Sequence, residues 1–143
     1  MNRAIAAATA VLLSCASAAA AQPVLYDCDL KADRAMGWVS SKMALYFDGQ
    51  GGAEAIDGVI LGVVGTPLKV RARKRGDTVR LNWTINGATD TVGTRIPTIS
   101  YITRLNTGSN EIYVVAKPAG YPQRFSARGT CALRTDAKDL LRP

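Results

Sequence analysis

From Val24 to Arg134 apolar and polar residues alternate with a period of two, and no stretch sustains the 3.6-residue apolar period of a helix face. Alternation of this kind buries one face of a strand, so a chain built from it must pair its strands and bring the apolar faces together. The segments are short and separated by Gly, Asn and Asp. Val24, Tyr26, Cys28 and Leu30 share one side of a first strand, with Leu25, Asp27 and Asp29 on the other. At the far end Phe125, Ala127, Gly129, Cys131 and Leu133 share a face opposite Ser126, Arg128, Thr130 and Arg134.

Between these ends the turns punctuate hairpins. Met43, Leu45 and Phe47 lead through Asp48-Gly49-Gln50-Gly51-Gly52 into a strand at 53–57. Leu68, Val70 and Ala72 alternate with Lys69, Arg71 and Arg73, and Arg75-Gly76-Asp77 turns into Val79, Leu81, Trp83 and Ile85. Asn86-Gly87 follows, the favoured pair for a two-residue hairpin loop, and marks the next expected reversal. Strands at 99–105 and 111–117 flank Asn106-Thr107-Gly108-Ser109-Asn110, and Pro118, Gly120 and Pro122 break the chain before the last strand. About eight strands without a crossover helix imply an all-β antiparallel meander, closed as a small barrel or folded as a sandwich.

The first residues carry a different pattern. Arg3, the apolar run 4–13 and Ala19-Ala20-Ala21 have the order of a secretory signal, and the run is half the roughly 20 residues a spanning helix needs. The expected organisation is a signal at 1–21, a single β domain at 22–134, a polar C-terminal tail at 135–143 and no transmembrane span. The expected location is the periplasm or the exterior. Cys15, in Leu12-Leu13-Ser14-Cys15, stands where a lipobox would place a lipid-modified cysteine, which would instead anchor the chain at the outer membrane.

Cys28 and Cys131 are then the one cysteine pair of the exported part, and in an oxidising compartment they read as a disulfide. They lie 103 positions apart, a loop whose closure is worth about 4 to 5 kcal/mol on the chain-entropy estimate. Both fall on apolar faces, which supports pairing of the first strand with the last.

The charge balance is basic, with 18 Lys and Arg against 11 Asp and Glu. Its densest expression is Lys69-Val70-Arg71-Ala72-Arg73-Lys74-Arg75, and hairpin pairing should bring Arg80 and Asn82 onto the face of Lys69, Arg71 and Arg73. Crowded like charge suits phosphate or carboxylate ligands. Lys69, Arg71, Arg73, Arg75 and Arg80 are therefore the candidate binding residues, and an export signal argues against nucleic acid as the anion.

The second unusual segment, Gly58-Val59-Ile60-Leu61-Gly62-Val63-Val64-Gly65, is apolar without alternation. Its expected form is a strand buried on both faces; the alternative is an exposed apolar lip for lipid, ligand or partner. Trp83 is expected in the core.

Nothing points to catalysis, a cofactor or a metal. Histidine is absent, which removes the commonest general base and zinc ligand. Asp27 and Asp29 stand on an outer strand face, about 6 to 7 Å apart by strand rise, with no sign of a cleft between them. Gly49-x-Gly51-Gly52 lacks the helix start and Lys-Ser/Thr of a phosphate loop.

Tyr26-Asp27-Cys28-Asp29, Gly37-Trp38, Gly120-Tyr121-Pro122 and Arg128-Gly129-Thr130-Cys131 together resemble an uncharacterised group of exported alphaproteobacterial β-proteins. That resemblance spans nearly the whole exported part and implies no activity. The signal, the small eight-stranded barrel and the early Tyr-x-Cys are also similar to the membrane-bound inhibitors of c-type lysozyme, although the Ser-Gly-x-x-Tyr loop of that family has no counterpart here. The expected function is a non-enzymatic periplasmic or envelope-associated module that meets an anionic envelope component through the basic hairpin. The alternative is an inhibitor or partner of another exported protein, with loops 58–65 and 106–110 as contact points.

Overall fold

A computed structural model describes residues 21–33 and 37–135. The expected signal at 1–20, Cys15 and the tail beyond Thr135 lie outside the described residues. Nine antiparallel strands form one sheet: β1 (Val24–Ala32), β2 (Lys42–Phe47), β3 (Ala53–Asp57), β4 (Leu68–Lys69), β5 (Arg71–Arg75), β6 (Thr78–Thr89), β7 (Arg95–Asn106), β8 (Glu111–Pro118) and β9 (Phe125–Arg134). Their order across the sheet is β4-β3-β2-β1-β9-β8-β7-β6-β5. The two edges, β4 and β5, are separated in the chain only by Val70, whose N–H donates to the Ala53 carbonyl at 3.0 Å. One extended segment therefore pairs with β3 by its first half and with β6 by its second, and the sheet curls into a nearly closed barrel. The expected strand from Leu68 to Arg75 is this split element, which makes the count nine.

The alternation read from the sequence sets the inside of the barrel. Cys28, Met43, Leu45, Ala55, Leu81, Ile85, Ile99, Leu105, Val114 and Ala127 are buried in a single core. Trp83 and Tyr101 stack inside it, ring centroids 5.1 Å apart and planes 6° from parallel. Cys28 stands directly opposite Cys131 in the β1–β9 ladder, and the two are disulfide-bonded. The staple joins the first strand to the last with both side chains inward.

Two expectations are corrected. The chain does not reverse at Asn86-Gly87: β6 runs on to Thr89, and the loop lies at 90–94, where the Asp90 carboxylate accepts from the N–H of Val92 (3.0 Å) and Thr94 (2.7 Å). Gly87, at φ +73°, instead kinks the strand opposite Pro97, which has no N–H to donate. The pleat changes phase there on both strands: Ile85 and Ile99 are buried on one side of the kink, Ala88 and Ile96 on the other.

The glycine-bracketed apolar segment is not a buried strand. It forms a six-residue helix, α1 (Gly58–Val63), started by Asp57, whose Oδ1 accepts from the Ile60 N–H at 2.7 Å, and ended at Gly65, whose N–H donates to the Leu61 carbonyl. Ile60 is buried in the core, and half-buried Val59 packs against it. Leu61, Val63 and Val64 are exposed, by 46%, 37% and 43%.

Candidate anion-binding face

The β5–β6 hairpin turns at Gly76, and its register sets Arg71 opposite Asn82, Arg73 opposite Arg80 and Arg75 opposite Thr78. Arg71, Arg73, Arg75 and Arg80 are all exposed. The expected juxtaposition of Arg80 and Asn82 with the β5 arginines is present. Lys69 lies outside the hairpin ladder, because β4 pairs with β3 and sets it opposite Glu54, yet it lines one groove with Arg71 and Asn82. Lys74 has the inward parity of Ala72 yet is exposed.

The basic face reaches beyond the hairpin. Following one row of opposed residues across the sheet, Arg73 faces Arg80, Arg80 faces Arg104 on β7, Arg104 faces Tyr113 on β8, Tyr113 faces Arg128 on β9, and Arg128 faces Lys31 on β1. Arg104, Arg128 and Lys31 are exposed like the hairpin arginines. On β8, where the row has no cation of its own, the Arg128 guanidinium lies over the Tyr113 ring, 4.7 Å from its centroid. Neighbouring strands are about 4.8 Å apart, so the row is a line of positive charge at roughly that interval. Like charges directly opposite one another on a sheet are destabilising.

Acidic residues near this row are engaged elsewhere. Asp29 pairs with Lys42, Asp27 with Arg134 at 3.1 Å, and Glu111 accepts from the Ser109 hydroxyl at 2.9 Å. Among the described residues none of Arg73, Arg80, Arg104, Arg128 or Lys31 takes part in an ion pair. Asp27 and Asp29 thus stand on the outside of β1, each held by a cation. Beside the hairpin, above the point where β5 leaves β6, a groove of about 450 Å³ is lined by Lys69, Arg71, Asn82, Thr84, Ser100 and Ile102.

Sequence reasoning found the hairpin and missed Arg104, Arg128 and Lys31. Each has the outward parity of its strand, so their exposure was readable. Their alignment was not: a reversal at Asn86-Gly87 would set Arg80 against Gly93, whereas the loop at 90–94 sets it against Arg104.

The end of the barrel carrying α1 is different in character. Two adjoining grooves of about 380 and 410 Å³ share Trp38, Val59 and Thr89 as walls. The buried Tyr101 hydroxyl donates to the Trp38 carbonyl at 2.6 Å; burial, then the Asp57 carboxylate, hold this phenol far above its ordinary pKa. Burial also raises the Asp57 carboxyl, against the backbone hydrogen bonds from Ile60 and Val59. At the rim, burial of the Asp90 carboxyl is outweighed by hydrogen bonds from Thr94, Tyr121 and Val92, which hold it below the usual range. Among the described residues no three His, Cys, Asp or Glu side chains gather to hold a metal ion, and no helix is long and apolar enough to cross a membrane.

No family model matches the chain, and neither a curated protein nor a solved structure matches it.

Proposed function

We propose that this domain is a non-enzymatic binding module of the bacterial envelope, exported to the periplasm or beyond, that engages anionic partners through the outer face of the β5–β6 hairpin and its neighbours. The observation that carries the proposal is the row of exposed arginines aligned by strand register without carboxylate partners among the described residues. Such a row costs stability in the free protein and is relieved by a bound anion. A disulfide between the first and last strands fits an oxidising compartment. Anchoring through a lipid on Cys15 would hold the module at the membrane and raise its effective concentration there.

A second reading has its own support. Leu61, Val63 and Val64 form an exposed apolar patch on α1, and such patches suit a protein partner. The chain would then act as an inhibitor or partner of another exported protein, in the manner that its likeness to lysozyme inhibitors suggests.

Salt separates the two. The protein is sedimented with its own envelope fraction at low and high ionic strength, alongside a variant with Arg71, Arg73 and Arg80 changed to Gln. Charge-driven binding is expected to disappear with salt and in the variant. Binding indifferent to both would transfer the role to α1 and a protein partner.

A further inference from the structure

We infer that the ligand of this face is a flexible linear polyanion, carrying phosphate or carboxylate groups along its length, which crosses the strands and wraps the barrel along Arg73, Arg80, Arg104, Arg128 and Lys31. The inference rests on the anion-binding proposal above and names the shape of the anion.

Curvature decides between a polymer and a lipid surface. The row crosses β5, β6, β7, β8, β9 and β1, six consecutive strands of the nine-stranded sheet, and that sheet closes on itself through Val70. Outward directions at Arg73 and at Lys31 therefore differ by more than a quarter turn, and a plane touching the barrel meets only about two or three adjacent strands. A flat headgroup surface can meet Arg73, Arg80 and Arg104 together or Arg128 and Lys31 together, not all five. A flexible chain bends around the barrel and meets each in turn.

Spacing and continuity favour the same occupant. Cations recur at about 4.8 Å from strand to strand, and each guanidinium can grip a phosphate or carboxylate with two parallel hydrogen bonds. The only strand without a cation in the row is β8, and Arg128 leans over its Tyr113, which keeps positive charge above that strand. On one neighbouring row Arg71 stands on β5, but across β6, β7, β8 and β9 the outward residues are Asn82, Ile102, Val115 and Ser126, all uncharged. On the other, Arg75 on β5 is followed by Thr78, Asn106, Glu111, Thr130 and Asp29, with no further cation. Beyond β5, positive charge is thus drawn out as a line instead of spread as a patch.

The test measures binding of four probes to the protein: tripolyphosphate, a polyphosphate long enough to reach from Arg73 to Lys31, polygalacturonate of similar reach, and vesicles containing an anionic phospholipid. Arg104→Gln and Arg128→Gln, both outside the hairpin, are compared with Arg95→Gln, which removes the same charge from β7 away from the row; thermal melts confirm that all three fold. The long polymers are expected to bind more tightly than tripolyphosphate and than vesicles. Arg104→Gln and Arg128→Gln should each lower the slope of log affinity against log salt by about 0.7 to 0.9, the value for one phosphate no longer neutralised, and Arg95→Gln should not. Preference between polyphosphate and polygalacturonate identifies the anionic group. If vesicles bind as tightly as the polymers, or if Arg104→Gln and Arg128→Gln change binding no more than Arg95→Gln does, the wrapped path is wrong while the anion-binding proposal stands. If none of the probes binds at low salt, both fall.

Discussion

Asp57 is the residue in which the energetics of this barrel are most exposed to test. It ends β3 with its side chain turned inward, caps α1 through Oδ1, and leaves Oδ2 buried without a hydrogen-bond partner among the described residues. A carboxylate there is stabilised by the helix start and penalised by lost hydration, and the second effect is the larger, since the folded pKa is raised. The sign for stability follows. A carboxyl with a folded pKa above its unfolded value binds its proton more tightly in the native state, so its contribution is full below the unfolded value near 3.8 and is lost as pH rises through the folded pKa. Asp57→Asn keeps an acceptor for the Ile60 N–H, removes the buried charge and offers a donor where Oδ2 stood. It is expected to be more stable than the parent at pH 7 in urea denaturation, with the advantage shrinking as pH is lowered towards 3.8. Asp57→Ala, which loses the cap, should instead destabilise at both pH values, by about 0.5 to 2 kcal/mol. An Asn variant less stable than the parent at pH 7 would mean that the charge itself holds α1 in place.

At the scale of elements, the hairpins were legible in the sequence wherever a turn signal coincided with a break in alternation. Asp48 to Gly52, Arg75 to Asp77 and Asn106 to Asn110 each satisfied both conditions, and each is a reversal. Asn86-Gly87 satisfied only the first. The apolar positions Val79, Leu81, Trp83 and Ile85 resume at Ala88 and then at Ile96, a change of phase that a bulged or kinked strand also produces, and the glycine serves that kink. α1 was hidden for a related reason: six residues are too few for a 3.6 period to declare itself, although Asp57 before it and Gly65 after it carried the capping signal. The cost of the kink is measurable. Gly87→Ala puts a side chain at φ +73°, where non-glycine residues are disfavoured by about 1 to 2 kcal/mol, in surroundings with room for the methyl group. The variant is expected to melt several degrees lower with its strand content unchanged. Because the same kink sets the β6–β7 register, and with it the alignment of Arg80 with Arg104, a variant that relaxes by shifting register should also weaken polyanion binding.

For the molecule as a whole, topology explains why so much of the architecture could be read from one chain. Every strand pairing but one joins strands that follow each other in sequence, so hairpin signals alone specify most of the sheet. The exception is β1 with β9, the single pairing that must bring distant segments together, and the cysteines mark it. The opposite seam of the barrel, between β4 and β5, is closed by the chain itself at Val70. Both closures are therefore covalent, one through the backbone and one through sulfur, and only the second can be removed by mutation without cutting the chain. Removing Cys28 and Cys131 together by change to Ser enlarges the unfolded ensemble by freeing a 103-residue loop, and is expected to cost about 2 to 5 kcal/mol. The loss should be localised as well as large. Pairings between consecutive strands, β1–β2 and β8–β9 included, retain their local closure, whereas the β1–β9 seam keeps only its ladder, so amide exchange should accelerate first along that seam, at 24–32 and 125–134. An unchanged melting temperature would show that the β1–β9 ladder closes the barrel without its staple. Uniform loss of protection would show that the sheet opens as one unit, with the disulfide holding the whole circumference instead of one seam.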